Sequence, residues 1–138
     1  MLKFRPIQFD DKDAVASLFR QLTEDPVHFD ISLVIEDPNC ICLVAMDNGK
    51  VIGCGSVIIY RSPVKGKVGL IMDIVVNDAC RGRGVGGRLL DKLIEIGRES
   101  KACMLDLSSR PHRIAARKLY ESRGFEIRDT LMFRLKLI

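Results

Sequence analysis

The chain lacks tryptophan and any C-x-x-C pair, and it has only two tyrosines and two histidines. It also lacks a run of about eighteen uncharged apolar residues, so no helix is expected to span a membrane. The opening Met1-Leu2-Lys3-Phe4-Arg5-Pro6 has no apolar h-region, which argues against secretion. Five cysteines, Cys40, Cys42, Cys54, Cys80 and Cys103, make an odd count without paired spacing. That speaks against a disulfide framework and a zinc site. We expect no metal, and thiols packed as small apolar side chains in a reducing, cytoplasmic setting. Aromatic content of 6% supplies no stacking platform, and no recognition-helix pattern is visible, so nucleic acid is not an expected partner. The net charge of +4, mainly in the second half, suits a small polyanion such as a nucleotide phosphate equally well. Ser108 and Ser109 have no His-Asp partners, so a covalent acyl-enzyme route has little support.

What is present fits one domain over residues 1–138. Apolar residues make up 47% of the chain, enough for one continuous core. Lys3 to Pro6 reads as a first strand. Asp10 offers an N-cap to a helix whose stripe is Ala14, Val15, Leu18, Phe19 and Leu22. A shorter helical piece covers His28 to Glu36 and ends at Asp37-Pro38. Strands Ile41 to Met46 and Val51 to Tyr60 flank Asn48-Gly49, a hairpin signal. After a basic loop, Arg61 to Lys67, strand Val68 to Val76 is apolar on both faces, as a central strand is. There Val68, Leu70, Met72, Ile74 and Val76 alternate with Gly69, Ile71, Asp73 and Val75. A helix with Leu89, Leu90, Leu93, Ile94 and Gly97 inward, a strand Ala102 to Leu107, and a helix Pro111 to Arg123 follow. In the last helix Ala115, Ala116 and Leu119 should face inward, with Gly124 as its C′ residue. Phe125 to Arg128 and Thr130 to Leu137 would complete the sheet. The class is α/β (α+β), with a mixed, mostly antiparallel sheet of about six to seven strands and helices on both faces.

Between the central strand and its helix stands Arg81-Gly82-Arg83-Gly84-Val85-Gly86-Gly87. Closely spaced amides without Cβ atoms, at a helix N-terminus, suit a pyrophosphate, and Arg81, Arg83 and Arg88 strengthen the field. Gly82, Gly84 and Gly87 also satisfy G-x-G-x-x-G. A dinucleotide fold, however, places its first glycine directly after the strand, and here Asn77 to Arg81 intervene. No Lys-Ser/Thr follows the glycines, so the turn is not a Walker loop.

These residues resemble the GNAT superfamily of acetyl-CoA-dependent N-acetyltransferases. Arg81, Gly84 and Gly86 match its Gln/Arg-x-x-Gly-x-Gly/Ala signature, with Val76 at the strand end. Ala116, Leu119-Tyr120 and Gly124-Phe125 look like its A-x-x-L-Y-x-x-x-G-F segment. Lys67-Val68-Gly69 through Val76, and Leu89 through Leu93, are similar to glucosamine-6-phosphate N-acetyltransferases. Met72, however, stands where those enzymes tend to carry a substrate-binding glutamate, and Arg113 stands where an asparagine is often found.

The resemblance implies that amides of Gly82, Arg83, Gly84, Val85, Gly86 and Gly87 hold the coenzyme pyrophosphate. It implies that main-chain groups of Ile74, Val75 and Val76 pair with the pantetheine arm, and that Arg81 and Tyr120 also belong to the coenzyme site. Tyr120 matches the general-acid position. A tyrosine of pKa near 10 can protonate a departing thiolate whose own pKa is about 8.5. Asp73, alone in an apolar strand, is either a general base with a raised pKa or a carboxylate tied to an arginine or to backbone amides. Arg61, Lys65, Lys67, Arg110 and Arg113 either ring an acceptor cleft for an anionic amine or lie on solvated loops. The expected reaction moves acetyl from acetyl-CoA directly to a primary amine, on a small molecule first of all. A protein lysine or N-terminal acetyltransferase and a non-catalytic acyl-CoA-binding module are the alternatives. The sheet edge expected at Thr130 to Ile138 offers a route to a homodimer.

Overall fold

Five strands form one sheet in chain order in the computed structural model, which describes residues 1–138. They are β1 (Leu2–Pro6), β2 (Cys40–Asp47), β3 (Lys50–Ser62), β4 (Gly66–Val76) and β5 (Met104–Leu107). The first three pairings are antiparallel, and β4 with β5 is parallel. Asn48 and Gly49 both take positive φ, 50° and 79°, as a tight β2–β3 turn requires. The sheet and its helices α1 (Lys12–Leu22), α2 (Ile31–Glu36) and α3 (Val85–Glu99) belong to one compact unit, Met1–Ser108. Residues Ser109–Ile138 form a second unit, which holds α4 (Ile114–Ser122).

Helices cover both faces of the sheet in the first unit. Val15 and Leu18 of α1 and Ile31 of α2 pack with Cys42, Val44, Cys54 and Val75. On the opposite face Leu89 and Leu93 of α3 approach β3 at Gly53 and Gly55, where an added Cβ would lie 3.3 and 3.0 Å from their methyl groups. Glycine is what lets that helix sit so close.

Several starts and stops differ from the sequence reading. A 3₁₀ turn over Phe9–Asp11 precedes α1, and Asp10 makes no cap. Asp11 instead accepts both guanidinium nitrogens of Arg5, at 2.7 and 2.9 Å, and the Gln8 amide at 2.7 Å. Asp30 caps α2 by accepting from the amides of Ser32 and Leu33. Arg61 and Lys67 lie within β3 and β4, so the basic loop is a hairpin tip. Ala115 of α4 is exposed and no residue of that helix is fully buried.

The sheet has five strands rather than six or seven. Phe125 to Arg128 and Thr130 to Leu137 carry no strand, and Leu131, Met132, Phe133, Leu135 and Leu137 are all at least 78% exposed. Strand propensity needs a ladder partner to be expressed, and no ladder forms within the second unit.

β4 carries the feature that matters most. Ser56 pairs with Met72 and Cys54 with Val75, so two steps along β3 face three along β4. One extra residue is inserted there, and Asp73 takes a left-handed φ of 57°. The insertion reverses the alternation. Gly69 and Ile71 share the α3 face with Ile59 and Val57, whereas beyond the bulge Ile74 faces Gly55 on that side and Val75 joins the α1–α2 cluster. Val68, Leu70, Met72, Ile74 and Val76 therefore do not line one face.

Candidate active site

β4 loses its parallel neighbour early. Pairing with β5 runs from Val68–Met104 to Ile71–Leu107 and stops. From Met72 to Val76 the strand keeps β3 on one side and has no strand on the other, so that edge presents main-chain donors and acceptors to an incoming ligand. β5 ends with that last pair, and the bulge against β3 lies just beyond it, where it bends and twists β4.

The chain then passes Asn77, whose amide donates to Ile52 O at 2.8 Å, and a 3₁₀ turn over Asp78–Cys80. Next comes the glycine-rich turn. Gly82 and Gly84 have φ of 82° and 75°, and no atom lies within 4 Å of where a Cβ would stand on either. Gly84 is the N-cap of α3, so the first amides of a fifteen-residue helix follow it without side-chain cover. At Gly86 a Cβ would meet Val76 Cγ2 at 3.8 Å, which puts the helix start beside the end of the open strand edge. The first unit thus sets the end of β4 at Val76 beside the start of α3 at Gly86, with Val75 and Val85 buried.

The arginines are placed differently from the expected free cationic field. Arg81 pairs with Asp78 at 2.8 Å, Arg83 with Asp47 at 2.7 Å, and Arg88 lies 5.1 Å from the Phe4 ring centre. The amides that open α3, by contrast, have no side-chain cap.

Asp73 is an exposed residue rather than a buried one, and no arginine pairs with it. Surrounding protein still desolvates its carboxyl enough to raise its pKa above the ordinary carboxylate range. Its charge in turn helps to raise the thiols of Cys40, Cys42 and Cys54, chiefly raised by burial, with Cys42 at about 11. Cys42 and Cys54 are buried as expected, Cys40 and Cys80 are half-buried, and Cys103 is exposed, donating to the carbonyls of Lys65 and Lys67. Lys67 Nζ donates to Ser100 O at 3.0 Å; Arg61, Arg110, Arg113, His28 and His112 are exposed.

In the second unit Tyr120 is half-buried on α4, and burial raises its hydroxyl pKa while Arg113 pulls it down. The helix ends with Gly124 at φ 93°. The Gly124 amide donates to Glu121 O at 3.0 Å and the Phe125 amide to Tyr120 O at 3.1 Å. This is a Schellman closure with Tyr120 at C3 and Phe125 at C″, and it gives a physical reason for the spacing L-Y-x-x-x-G-F.

Two residues outside the turn bond to it, Gln21 and Asp47, and no sequence motif marks either for that contact. Gln21 Oε1 accepts from the Asp78 amide at 2.9 Å, across 57 residues, and no local pattern announces such a contact.

Comparison with known proteins agrees with this geometry. Residues 7–125 match the Acetyltransferase (GNAT) family. The chain is 32% identical to glucosamine 6-phosphate N-acetyltransferase 1 of Dictyostelium discoideum over 95% of its own length and 88% of that protein. The crystal structure of glucosamine-6-phosphate N-acetyltransferase from Arabidopsis thaliana shares the fold with a TM-score of 0.85, at 22% identity over 98% of each chain. The structure of AAC(6')-Iy in complex with the bisubstrate analog CoA-S-monomethyl-acetylneamine gives 0.82, at 21% identity over 100% of this chain and 99% of that one. An opened strand edge running into a glycine-rich helix start, within a match that spans nearly the whole sequence, leads to one conclusion: the chain belongs to the GNAT family and is an N-acetyltransferase.

Proposed function

We propose that residues 1–138 act as one acetyltransferase domain that moves acetyl from acetyl-CoA directly to a primary amine on a small molecule. The observation that carries this reading is the free edge of β4 from Met72 to Val76, beside the uncovered amides after Gly84. Backbone groups of Ile74, Val75 and Val76 take the pantetheine arm. Amides of Gly82 to Gly87 take the diphosphate, where the helix N-terminus adds partial positive charge.

The amine nitrogen, neutralised by Asp73 directly or through water, attacks the thioester carbonyl. An outward amide of the β4 edge stabilises the tetrahedral oxyanion. Its collapse breaks the C–S bond, Tyr120 gives its proton to the departing thiolate sulfur, and the second proton shed by the acetylated nitrogen restores the tyrosine. Support for direct transfer comes from AAC(6')-Iy, a chain of the same fold that holds a bisubstrate analog. Relatives named for glucosamine 6-phosphate and the aminoglycoside-enzyme neighbour both point to amines on small molecules. A thiol-release assay with glucosamine 6-phosphate, aminoglycosides, polyamines, amino acids and lysine peptides tests the reading. Turnover with a small amine supports it. Turnover with peptides alone favours a protein acetyltransferase, and acetyl-CoA binding without turnover favours a binding module.

We also propose that the chain works as a homodimer. Leu131, Phe133, Leu135 and Leu137 recur at every second position of the sequence, and all are exposed. Exposed apolar side chains of this kind are what a second copy of the chain can cover. Sedimentation of the full chain and of a Phe133→Asp, Leu135→Asp variant tests this; a full chain that sediments as a monomer rejects it.

A further inference from the structure

The glycine-rich turn has little packing of its own. Residues 81–84 are exposed, and Gly82 and Gly84 touch nothing through their side-chain directions. Two glycines at positive φ also leave the free turn many conformations to lose when a ligand orders it. Internal contacts fix only its entry. Asn77 Oδ1 accepts from the Ala79 amide at 2.9 Å, and the Arg81–Asp78 pair closes three residues.

The remaining restraints come from elsewhere in the fold. At the entry, Gln21 in the last turn of α1 accepts from the Asp78 amide at 2.9 Å. In the middle, Asp47 Oδ2 accepts from Arg83 Nη2 at 2.7 Å. Asp47 is a firm anchor. It ends β2 at the tight hairpin, its side chain is 16% exposed, and its other oxygen accepts from the Met1 amino group at 3.0 Å. Arg83 is the more exposed partner, 47% exposed on the turn itself.

We propose that Asp47 and Gln21 are positioning residues that hold the coenzyme turn in its binding shape before acetyl-CoA arrives, with Arg83 as the strut through which Asp47 acts. Neither side chain touches the reacting atoms. Their work is to remove the ordering cost that the glycines create.

The opposite role for the same pair is that Arg83 is a phosphate ligand which Asp47 sequesters. The two roles predict changes of opposite sign. If Asp47 supports the turn, its loss weakens coenzyme binding; if Asp47 competes with phosphate for Arg83, its loss tightens it.

The proposal rests on the turn being the acetyl-CoA site, so the unmodified full chain is titrated with acetyl-CoA first. No binding there rejects that site and the proposal together, whereas binding by the parent chain isolates the test of the tethers. Asp47→Asn, Gln21→Ala, Arg83→Ala and the Asp47→Asn, Arg83→Ala pair are then titrated calorimetrically and assayed at saturating acetyl-CoA. Each single change is expected to weaken acetyl-CoA about fivefold, a weak charged or polar contact's worth. KM for acetyl-CoA should rise with kcat and the amine KM unchanged. The pair should bind no worse than Arg83→Ala alone, and Asp47→Glu should recover part of the loss. Equal or tighter coenzyme binding by Asp47→Asn, additive losses in the pair, or a fall in kcat at unchanged KM would overturn the proposal. Arg83→Ala alters only an exposed side chain, so it keeps the test valid if Asp47→Asn lowers the melting temperature.

Discussion

The ring of Phe125 stands edge-on to that of Tyr120, with centroids 6.3 Å apart and planes at 66°. The hydrogen bond from the Phe125 amide to Tyr120 O and the left-handed Gly124 fix this geometry, so the helix terminus orients the tyrosine. Tyr120→Phe removes only the hydroxyl. We expect kcat to fall about a hundredfold, the lower range for loss of a general acid, with acetyl-CoA affinity nearly unchanged. Phe125→Leu should lower kcat less, with the hydroxyl still present but the ring less constrained. Steady-state kinetics beside a coenzyme titration check both, and an unchanged rate in Tyr120→Phe removes it as the acid.

Asp73 makes a pH prediction. A base must be unprotonated, and this carboxyl holds its proton to higher pH than an ordinary carboxylate. The acid limb of kcat/KM should therefore lie above the usual carboxylate range and vanish in Asp73→Asn, along with most of the rate. The linkage runs the other way for stability. The folded state binds this proton more tightly than the unfolded chain does, so stability falls as pH rises from the unfolded pKa through the folded one. Asp73→Asn escapes that loss, and asparagine tolerates the left-handed φ of 57°. The variant should thus be inactive yet at least as stable at neutral pH, as measured by thermal melting.

Gly84→Asp should separate folding from coenzyme binding. A Cβ there meets nothing within 4 Å, and aspartate tolerates φ of 75° better than most residues. Its carboxylate, however, enters the amide ring intended for an anion. We expect a folded protein with no calorimetric signal for acetyl-CoA.

Gly97 tests packing at the β5 side. Leu105 is wedged between two glycines: a Cβ on Gly97 would lie 2.7 Å from its Cδ2, and one on Gly69 would clash with the same atom. The leucine cannot retreat from one helix without meeting the strand. Gly97→Ala should cost about 1–2 kcal/mol, overpacking outweighing the gain in helix propensity, and Leu105→Val should relieve part of it.

Asp11 makes the complementary acid prediction. Its carboxyl is 5% exposed as a residue, and the Arg5 hydrogen bonds hold its pKa below the ordinary value. The stability it contributes is full above the unfolded pKa of about 3.9 and is lost as pH falls through the folded one. Asp11→Ala should cost on the order of 2 kcal/mol at neutral pH and flatten the acid limb of the stability curve.

Local signals were legible where they sufficed by themselves. Asn48-Gly49, the α3 stripe through Leu89, Leu90 and Leu93, and Gly124 after α4 each encode geometry within a few residues. The glycine-rich turn was legible because a helix start and missing Cβ atoms speak for themselves. The tether from Gln21 to Asp78 was not, since it joins side chain to backbone across the fold. Asp47 was visible only as part of a turn. Residues 130–137 read as a strand because alternation reports what a segment can do, whereas a strand also needs a ladder, and none forms within the second unit. In β4 the alternation misled for a different reason: an inserted residue shifts the phase without altering composition, and Val68 to Val76 looks unbroken in one dimension.

That insertion has a consequence for how the protein can vary. The kink in β4 depends on a count, three steps on one strand against two on its neighbour, rather than on which amino acids occupy it. Point changes at Met72, Asp73 or Ile74 leave that count intact. Removing one of these residues would bring β3 and β4 back into step and straighten the strand, so selection on this stretch is expected to tolerate substitution and reject deletion.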